Sequence, residues 1–264
     1  MILPTFIVGG APRSGTTYLY ELCDSHPDIY MVKPKVPEPK FFLIDEEYDR
    51  GLTYYSERYF AQAEGFRAIG EKSTNYLADP HVAQRIKRCL PDVKLIFVLR
   101  NPIERAFSNY LWSRINGIET LLFEEALERE KERELEYEPK HRYARPFSYI
   151  SRGMYARLLE PYFELFDPSQ IKIILLDDIV SVPETVAREL FVFLGVPVVR
   201  TSFDLTQRVN PARRPSDRML PYTYEFLRGV YYYPNQELSE LIGRDLTHWN
   251  QSLTTKGSCD ESLA

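Results

Sequence analysis

The sequence predicts an α/β fold with a central, mostly parallel sheet flanked on both faces by helices. Three observations carry that prediction. Short β-branched and aromatic runs alternate with longer helical stretches along the chain. Those runs are apolar throughout instead of alternating, as strands covered on both faces are. Hydrophobic residues make up 44% of the 264, enough to fill a sizeable core. No internal repeat and no Gly/Ser-rich linker divides the chain. A single domain over 1–264 is therefore the simplest expectation, with 250–264 as a tail.

In order, Thr5–Val8, Phe66–Gly70, Val93–Leu99 and Ile171–Leu176 read as strands. Helical patterns cover Thr16–Ser25, Pro80–Leu90, Pro102–Arg114, Gly153–Phe166 and Pro183–Leu194, and Gly195 stands where a C-cap glycine belongs. Two segments break the rhythm. Lys33–Lys40, KPKVPEPK, is a basic loop stiffened by Pro34, Pro37 and Pro39. Glu124–Glu138 is densely charged with mixed sign and reads as a solvated helix with i,i+4 pairs such as Glu125–Arg129. The cluster Tyr231–Tyr233 reads as packing.

Composition narrows the function. The 33 Lys+Arg against 38 Asp+Glu leave a formal net charge of −5, which argues against a non-specific nucleic-acid binder and makes any anion site local. Cys23, Cys89 and Cys259 are odd in number and lack CxxC spacing, so neither a disulfide framework nor a structural zinc site is expected. No apolar run reaches the roughly 20 residues of a membrane helix. The apolar start, Met1 to Ala11, lacks a basic leader region and is broken by Pro4. These features predict a reduced, cytoplasmic protein without a membrane span, and leave its oligomeric state open.

The strongest chemical signal is Gly9-Gly10-Ala11-Pro12-Arg13-Ser14-Gly15-Thr16-Thr17, directly after the first strand and opening the first helix. Glycines allow the tight turn, and successive amides at a helix N-terminus converge on an anion. Gly10 and Gly15 keep the spacing of an NTP-binding P-loop, but Thr16 stands in place of its lysine, and the cation has moved to Arg13. Such a loop suits a shorter anion held without a metal; an ordinary glycine turn is the competing reading. A second constellation, Leu99-Arg100-Asn101-Pro102 through Ser108-Asn109-Tyr110, puts Arg100 at a strand's carboxyl end, where open α/β sheets bind ligands. Pro102 suits a first helical turn, and Ser108 lies about two turns further on. Arg100 and Ser108 are candidates for a second phosphate.

Together these motifs resemble the sulfotransferase family, which uses 3′-phosphoadenosine 5′-phosphosulfate (PAPS) and releases 3′-phosphoadenosine 5′-phosphate (PAP). The first is similar to its 5′-phosphosulfate loop, the second to its 3′-phosphate motif. Glu38-Pro39-Lys40-Phe41-Phe42, Glu71-Lys72-Ser73-Thr74-Asn75-Tyr76 and Leu241–Trp249 extend the likeness towards the glycan-type branch, the heparan sulfate 3-O- and N-sulfotransferases, over about Phe6 to Trp249. The resemblance implies a P-loop-like fold, sulfuryl transfer to a hydroxyl (less readily an amine), and no metal. It assigns Arg13, Ser14, Gly15, Thr16 and Thr17 to the phosphosulfate and Arg100 and Ser108 to the 3′-phosphate. A late loop containing Asn210, Arg213 and Arg214 would lie over the nucleotide, the alternative being two solvent arginines.

By the same resemblance Glu38 is the general base. Pro37 and Pro39 restrict its backbone, and Lys35 and Lys40 supply positive charge if they come close; on local sequence alone Glu38 reads as a solvated surface residue. Lys72 and Lys40 would orient acceptor and sulfonate, Lys72 otherwise being a structural ion-pair partner. None of His26, His81, His141 and His248 lies in the Lys33–Lys40 loop, as the histidine base of the small-molecule branch would require; His81 and His141 remain candidate acceptor contacts. The chain departs from the heparan enzymes in lacking a membrane anchor and paired cysteines, and in carrying Leu43 where the 3-O enzymes have an acidic residue. A bacterial-style member acting on a glycan, lipid-linked sugar or small hydroxylated metabolite fits these departures better, with specificity on two loops, Asp45–Tyr55 and Ile115–Phe147. An ATP·Mg²⁺-dependent nucleotide or sugar kinase and a non-catalytic PAP-binding protein are the rival classes.

Overall fold

A computed structural model describes residues 1–137, 142–207 and 218–252. Its five strands are β1 (Phe6–Gly10), β2 (Ile29–Met31), β3 (Ala68–Lys72), β4 (Lys94–Leu99) and β5 (Ile171–Leu175). They pair in the order β2-β3-β1-β4-β5. Every pairing is parallel, so all the carboxyl ends meet at one edge. Both neighbours of β1 are reached by crossovers, and the loop leaving its carboxyl end is the glycine loop.

By contacts the chain forms two compact units, Met1–Arg100 with Leu159–Pro211, and Asn101–Leu158 with Ala212–Ala264. The first holds the sheet. Phe6 and Val8 of β1 and Ile96 and Val98 of β4 point to one face, by the two-residue period of a strand. There they pack on Leu19 and Leu22 of α1 (Thr16–Asp24) and on Leu190 and Phe191 of α10 (Pro183–Leu194). On the opposite face Phe97 meets the Tyr162 ring of α8 (Tyr155–Leu165), centroids 4.8 Å apart. Gly195 ends α10 at φ +78°, the C-cap that the sequence predicts.

In the second unit, α5 (Pro102–Ile115), α6 (Phe123–Glu128) and α11 (Pro221–Ile242) bury Ile103, Ala106, Phe123, Tyr224, Leu227 and Tyr231 in a separate core. Asn101 starts α5, its side chain accepting from the Ile103 amide at 3.0 Å, a cap worth about 1 kcal/mol. Trp249, 1% exposed, accepts through its backbone oxygen from the Asn101 side chain at 3.5 Å.

Several expectations are corrected. Strand β2 and the 22-residue α11 were not foreseen. The third strand is shifted by two residues, so Lys72 ends β3 instead of following it. Asp45–Tyr55 is not a loop but α2 (Asp45–Tyr48) and the start of α3 (Gly51–Tyr59), and its last residue, Tyr55, is fully buried. Glu124–Glu138 is not one solvated helix: it breaks at Arg129 between α6 and α7 (Glu130–Leu135). Arg129 pairs with Glu132 at 3.4 Å, and Glu130 is only 3% exposed because its carboxylate caps the amides of Ile150 and Ser151. Of the tyrosine cluster, Tyr231 packs in the core while Tyr233 is 71% exposed. No helix among the described residues is long and apolar enough to cross a membrane. Cys23 and Cys89 are both free thiols.

Candidate active site

The glycine loop turns directly from β1 into α1. Arg13 holds φ +68° and Gly15, the N-cap of α1, φ +97°. A left-handed arginine costs roughly 1–2 kcal/mol, a strain that gathers where a loop is shaped for a ligand. No side chain caps α1, so its N-terminus faces the loop with amides unspent on a cap. Ser14 is 0% exposed, yet its hydroxyl has no hydrogen-bond partner. A buried, orphaned hydroxyl beside an uncapped helix start fits a bound oxyanion. Thr16 is buried and Thr17 half-buried at the same helix start.

Next to that loop the structure assembles a second cluster. Ser73 follows β3 and its amide donates to the Val8 carbonyl at 3.1 Å, which locks the post-β3 segment to β1. A Cβ on Gly10 would lie 2.7 Å from Leu77 Cβ and 3.2 Å from the Thr74 carbonyl, so only glycine lets the loop approach this segment. Thr74 in turn holds Glu38. Its amide donates to Glu38 Oε2 at 3.0 Å, and its hydroxyl donates to both carboxylate oxygens at 3.0 and 3.2 Å. Lys72 Nζ closes an ion pair with Glu38 Oε1. The side chains are 6% and 14% exposed, so removal of either partner would strand the other charge, at about 3–5 kcal/mol. Lys40, at φ +52°, is anchored through its amide to Ser73 Oγ at 2.9 Å, and the Phe42 amide donates to the Tyr76 hydroxyl at 3.1 Å.

The charge of the KPKVPEPK loop is arranged otherwise than its sequence suggests. Lys35 does not serve Glu38: it pairs with Glu21, and Lys33 with Asp24, both acids on α1. The loop is thereby tied to the helix that opens at the glycine loop, and Glu38 is the partner of Lys72. Sequence reasoning missed Thr74 and Ser73 as the holders of this loop, although both stand in the Glu71–Tyr76 stretch it singled out.

Behind Lys72, Glu71 is fully buried and accepts from the Tyr55 hydroxyl, while its Oε1 has no partner. Burial above all pushes its carboxyl above the ordinary glutamate value of 4.5, and pushes the Tyr55 hydroxyl well up. A raised folded-state value means stability that is complete below the ordinary range and is lost as pH rises through the raised one. Glu71→Gln, which mimics the protonated form, is therefore expected to gain thermal stability over the wild type as pH rises from acidic to neutral. Melting curves across that range check it; a difference independent of pH would refute it.

Arg100, half-buried, closes the first unit just past β4, and Ala11, in the glycine loop, donates to the Val98 carbonyl at 2.8 Å, so the exit of β4 adjoins that loop. Ser108 is 6% exposed on α5 in the second unit. Asn210, Arg213, Arg214 and His141 lie outside the described residues. His26 bonds to the Pro197 carbonyl at 2.9 Å and is structural; His81, its side chain 79% exposed, lies beside Asp79 at the start of α4 (Pro80–Cys89). Among the described residues no group of three or more His, Cys, Asp or Glu could hold a metal ion.

A glycine loop without the P-loop lysine, next to an ion-paired carboxylate at the carboxyl edge of a parallel sheet, meets a family model described as the sulfotransferase domain, which matches residues 3–219. The chain belongs to the sulfotransferase family. A crystal structure of a sulfotransferase from Alicyclobacillus acidocaldarius is 34% identical, covers 95% of this chain and 100% of that one, and superposes with a TM-score of 0.80. Heparan sulfate glucosamine 3-O-sulfotransferase 3A1 of Mus musculus is 31% identical over 199 residues, 75% of this chain and 47% of its own length. This sulfotransferase chain thus spans about half the length of the curated relatives it matches. A mouse sulfotransferase solved in complex with PAP is 17% identical, over 75% of this chain and 60% of that one, and shares the fold with a TM-score of 0.50.

Proposed function

We propose that the protein transfers a sulfuryl group from PAPS to a hydroxyl of a glycan or small-molecule acceptor, with Glu38 as general base and no catalytic metal. The observation that carries this reading is the Glu38 carboxylate, held by Lys72 and Thr74 against the segment that Gly10 touches. The amides of Ser14, Gly15, Thr16 and Thr17, with Arg13, meet the 5′-phosphosulfate, and Arg100 and Ser108 the 3′-phosphate. Asn210, Arg213 and Arg214 complete the nucleotide grip. Glu38 takes the acceptor's proton as its oxygen attacks sulfur in line. The new O–S bond forms while the bond from sulfur to the 5′-phosphate oxygen breaks. The departing charge falls on those loop donors. Lys72 and Lys40 neutralise the sulfonate oxygens and orient the acceptor.

Calorimetric binding of PAP without metal, with ATP·Mg²⁺ as the control, tests the donor assignment. PAP is expected to bind and ATP·Mg²⁺ to bind far more weakly, since the loop offers no lysine to a γ-phosphate. Preference for ATP·Mg²⁺ would turn the assignment towards a kinase. Turnover of PAPS with a panel of hydroxylated glycans and metabolites then identifies the acceptor.

A further inference from the structure

Two arginines are sealed inside the second unit with more donors than acceptors. Arg105 on α5 is 0% exposed, and Arg152, in the short 3-10 turn Ser151–Gly153, is 4% exposed. Arg105 spends Nη2 on the backbone carbonyls of Tyr149 and, at 3.4 Å, Ser148. Its Nε and Nη1 donate to nothing, and neither do Nε and Nη2 of Arg152. The two cations feel each other: burial first, then the charge of Arg105, bring the Arg152 guanidinium down to about 9.

The carboxylates nearby make their hydrogen bonds to other groups, although the charge of Glu134 reaches Arg152. Glu130 accepts from the amides of Ile150 and Ser151 at 2.6 and 2.8 Å, and Glu134 from the Ser151 hydroxyl at 2.6 Å. Four buried guanidinium nitrogens without an acceptor are far outside what folded proteins tolerate, and two buried like charges need a counter-charge. Nε and Nη2 lie along one edge of a guanidinium, the edge that oxyanions bridge with two parallel hydrogen bonds.

We propose that Arg105 and Arg152 enclose a small inorganic anion, a halide or a compact oxyanion, gripped by the Nε–Nη2 edge of Arg152 and by one free nitrogen of Arg105. The site is separate from the glycine loop and belongs to the second unit. Arg105 sits one turn before Ser108 on α5, so the anion would complete the packing beneath the stretch of helix that bears Ser108.

Crystals of the full chain grown in sodium bromide and, separately, in sodium selenate locate the anion by anomalous scattering, and melting curves at fixed ionic strength, with gluconate as the inert filler, measure its effect. A peak bonded to both guanidinium groups is expected in one of the two salts. The melting temperature is expected to rise with the logarithm of that anion's concentration above its Kd, by roughly 5–10 °C at a hundredfold excess. Arg152→Met is expected to lose both the peak and the anion-specific rise. A peak at the glycine loop alone, a water or the Glu134 carboxylate filling the guanidinium edge, or an identical rise in Arg152→Met would overturn the proposal. If Arg152→Met does not fold, the wild-type anomalous maps decide it.

Discussion

Glu38→Gln is expected to lower the turnover number about 10²- to 10⁴-fold, the range that one positioned general base supplies, and to leave PAP affinity unchanged. The substitution is chosen for what it preserves. A glutamine fills the same space and keeps one oxygen, for the Thr74 amide or for Lys72 but not for both, since these bond to different carboxylate oxygens, and it cannot take a proton. The split between turnover and binding is the readout that matters. A surface glutamate would change neither, and a merely structural one would lower nucleotide affinity together with turnover; melting temperature falls in either case, because the Lys72 charge loses its partner. Undiminished turnover with an acceptor found by panel screening would move the base elsewhere.

Arg100→Ala is expected to weaken PAP binding about 10- to 150-fold, the loss of a hydrogen bond between charged groups. The loss should be confined to ligands that carry the 3′-phosphate. Adenosine 5′-phosphate, which lacks it, should bind the variant and the wild type alike in parallel calorimetric titrations. An equal loss for both ligands would show Arg100 to support the fold at the exit of β4 instead of reading the nucleotide.

Legibility in the sequence followed the range of the interactions. The glycine loop, β1, β4, α10 and the Gly195 cap were readable because each is written in neighbouring residues: glycines where φ is positive, β-branched runs in strands, proline at a first helical turn. Strand β2 was hidden because three residues give no periodicity, and α11 because Gly229 and Pro234 interrupt its pattern, although tertiary packing of Tyr224, Leu227 and Tyr231 overrides them.

The candidate base was named from a resemblance, and its surroundings were not foreseen. Glu38 meets Lys72 and Thr74 across more than thirty residues of chain, which no spacing rule encodes. The same limit explains the misread lysines. Lys33 and Lys35 form a basic run on paper, but Asp24 and Glu21 answer them from α1 once the chain turns back. Glu130 was assigned to a solvated face for the same reason: the amides it caps come from residues 150 and 151.

The grip on Glu38 comes from the backbone and hydroxyl of Thr74 and the ammonium of Lys72, all at the inner end of a central strand. None of it comes from residues 45–54, although Tyr55 donates to the neighbouring Glu71. On the proposed reading of Glu38 as the base, proton handling is thus set at the carboxyl end of β3 and not by those residues. A lineage could vary the exposed positions Glu46, Asp49, Arg50 and Thr53 and inherit that hold on the carboxylate intact.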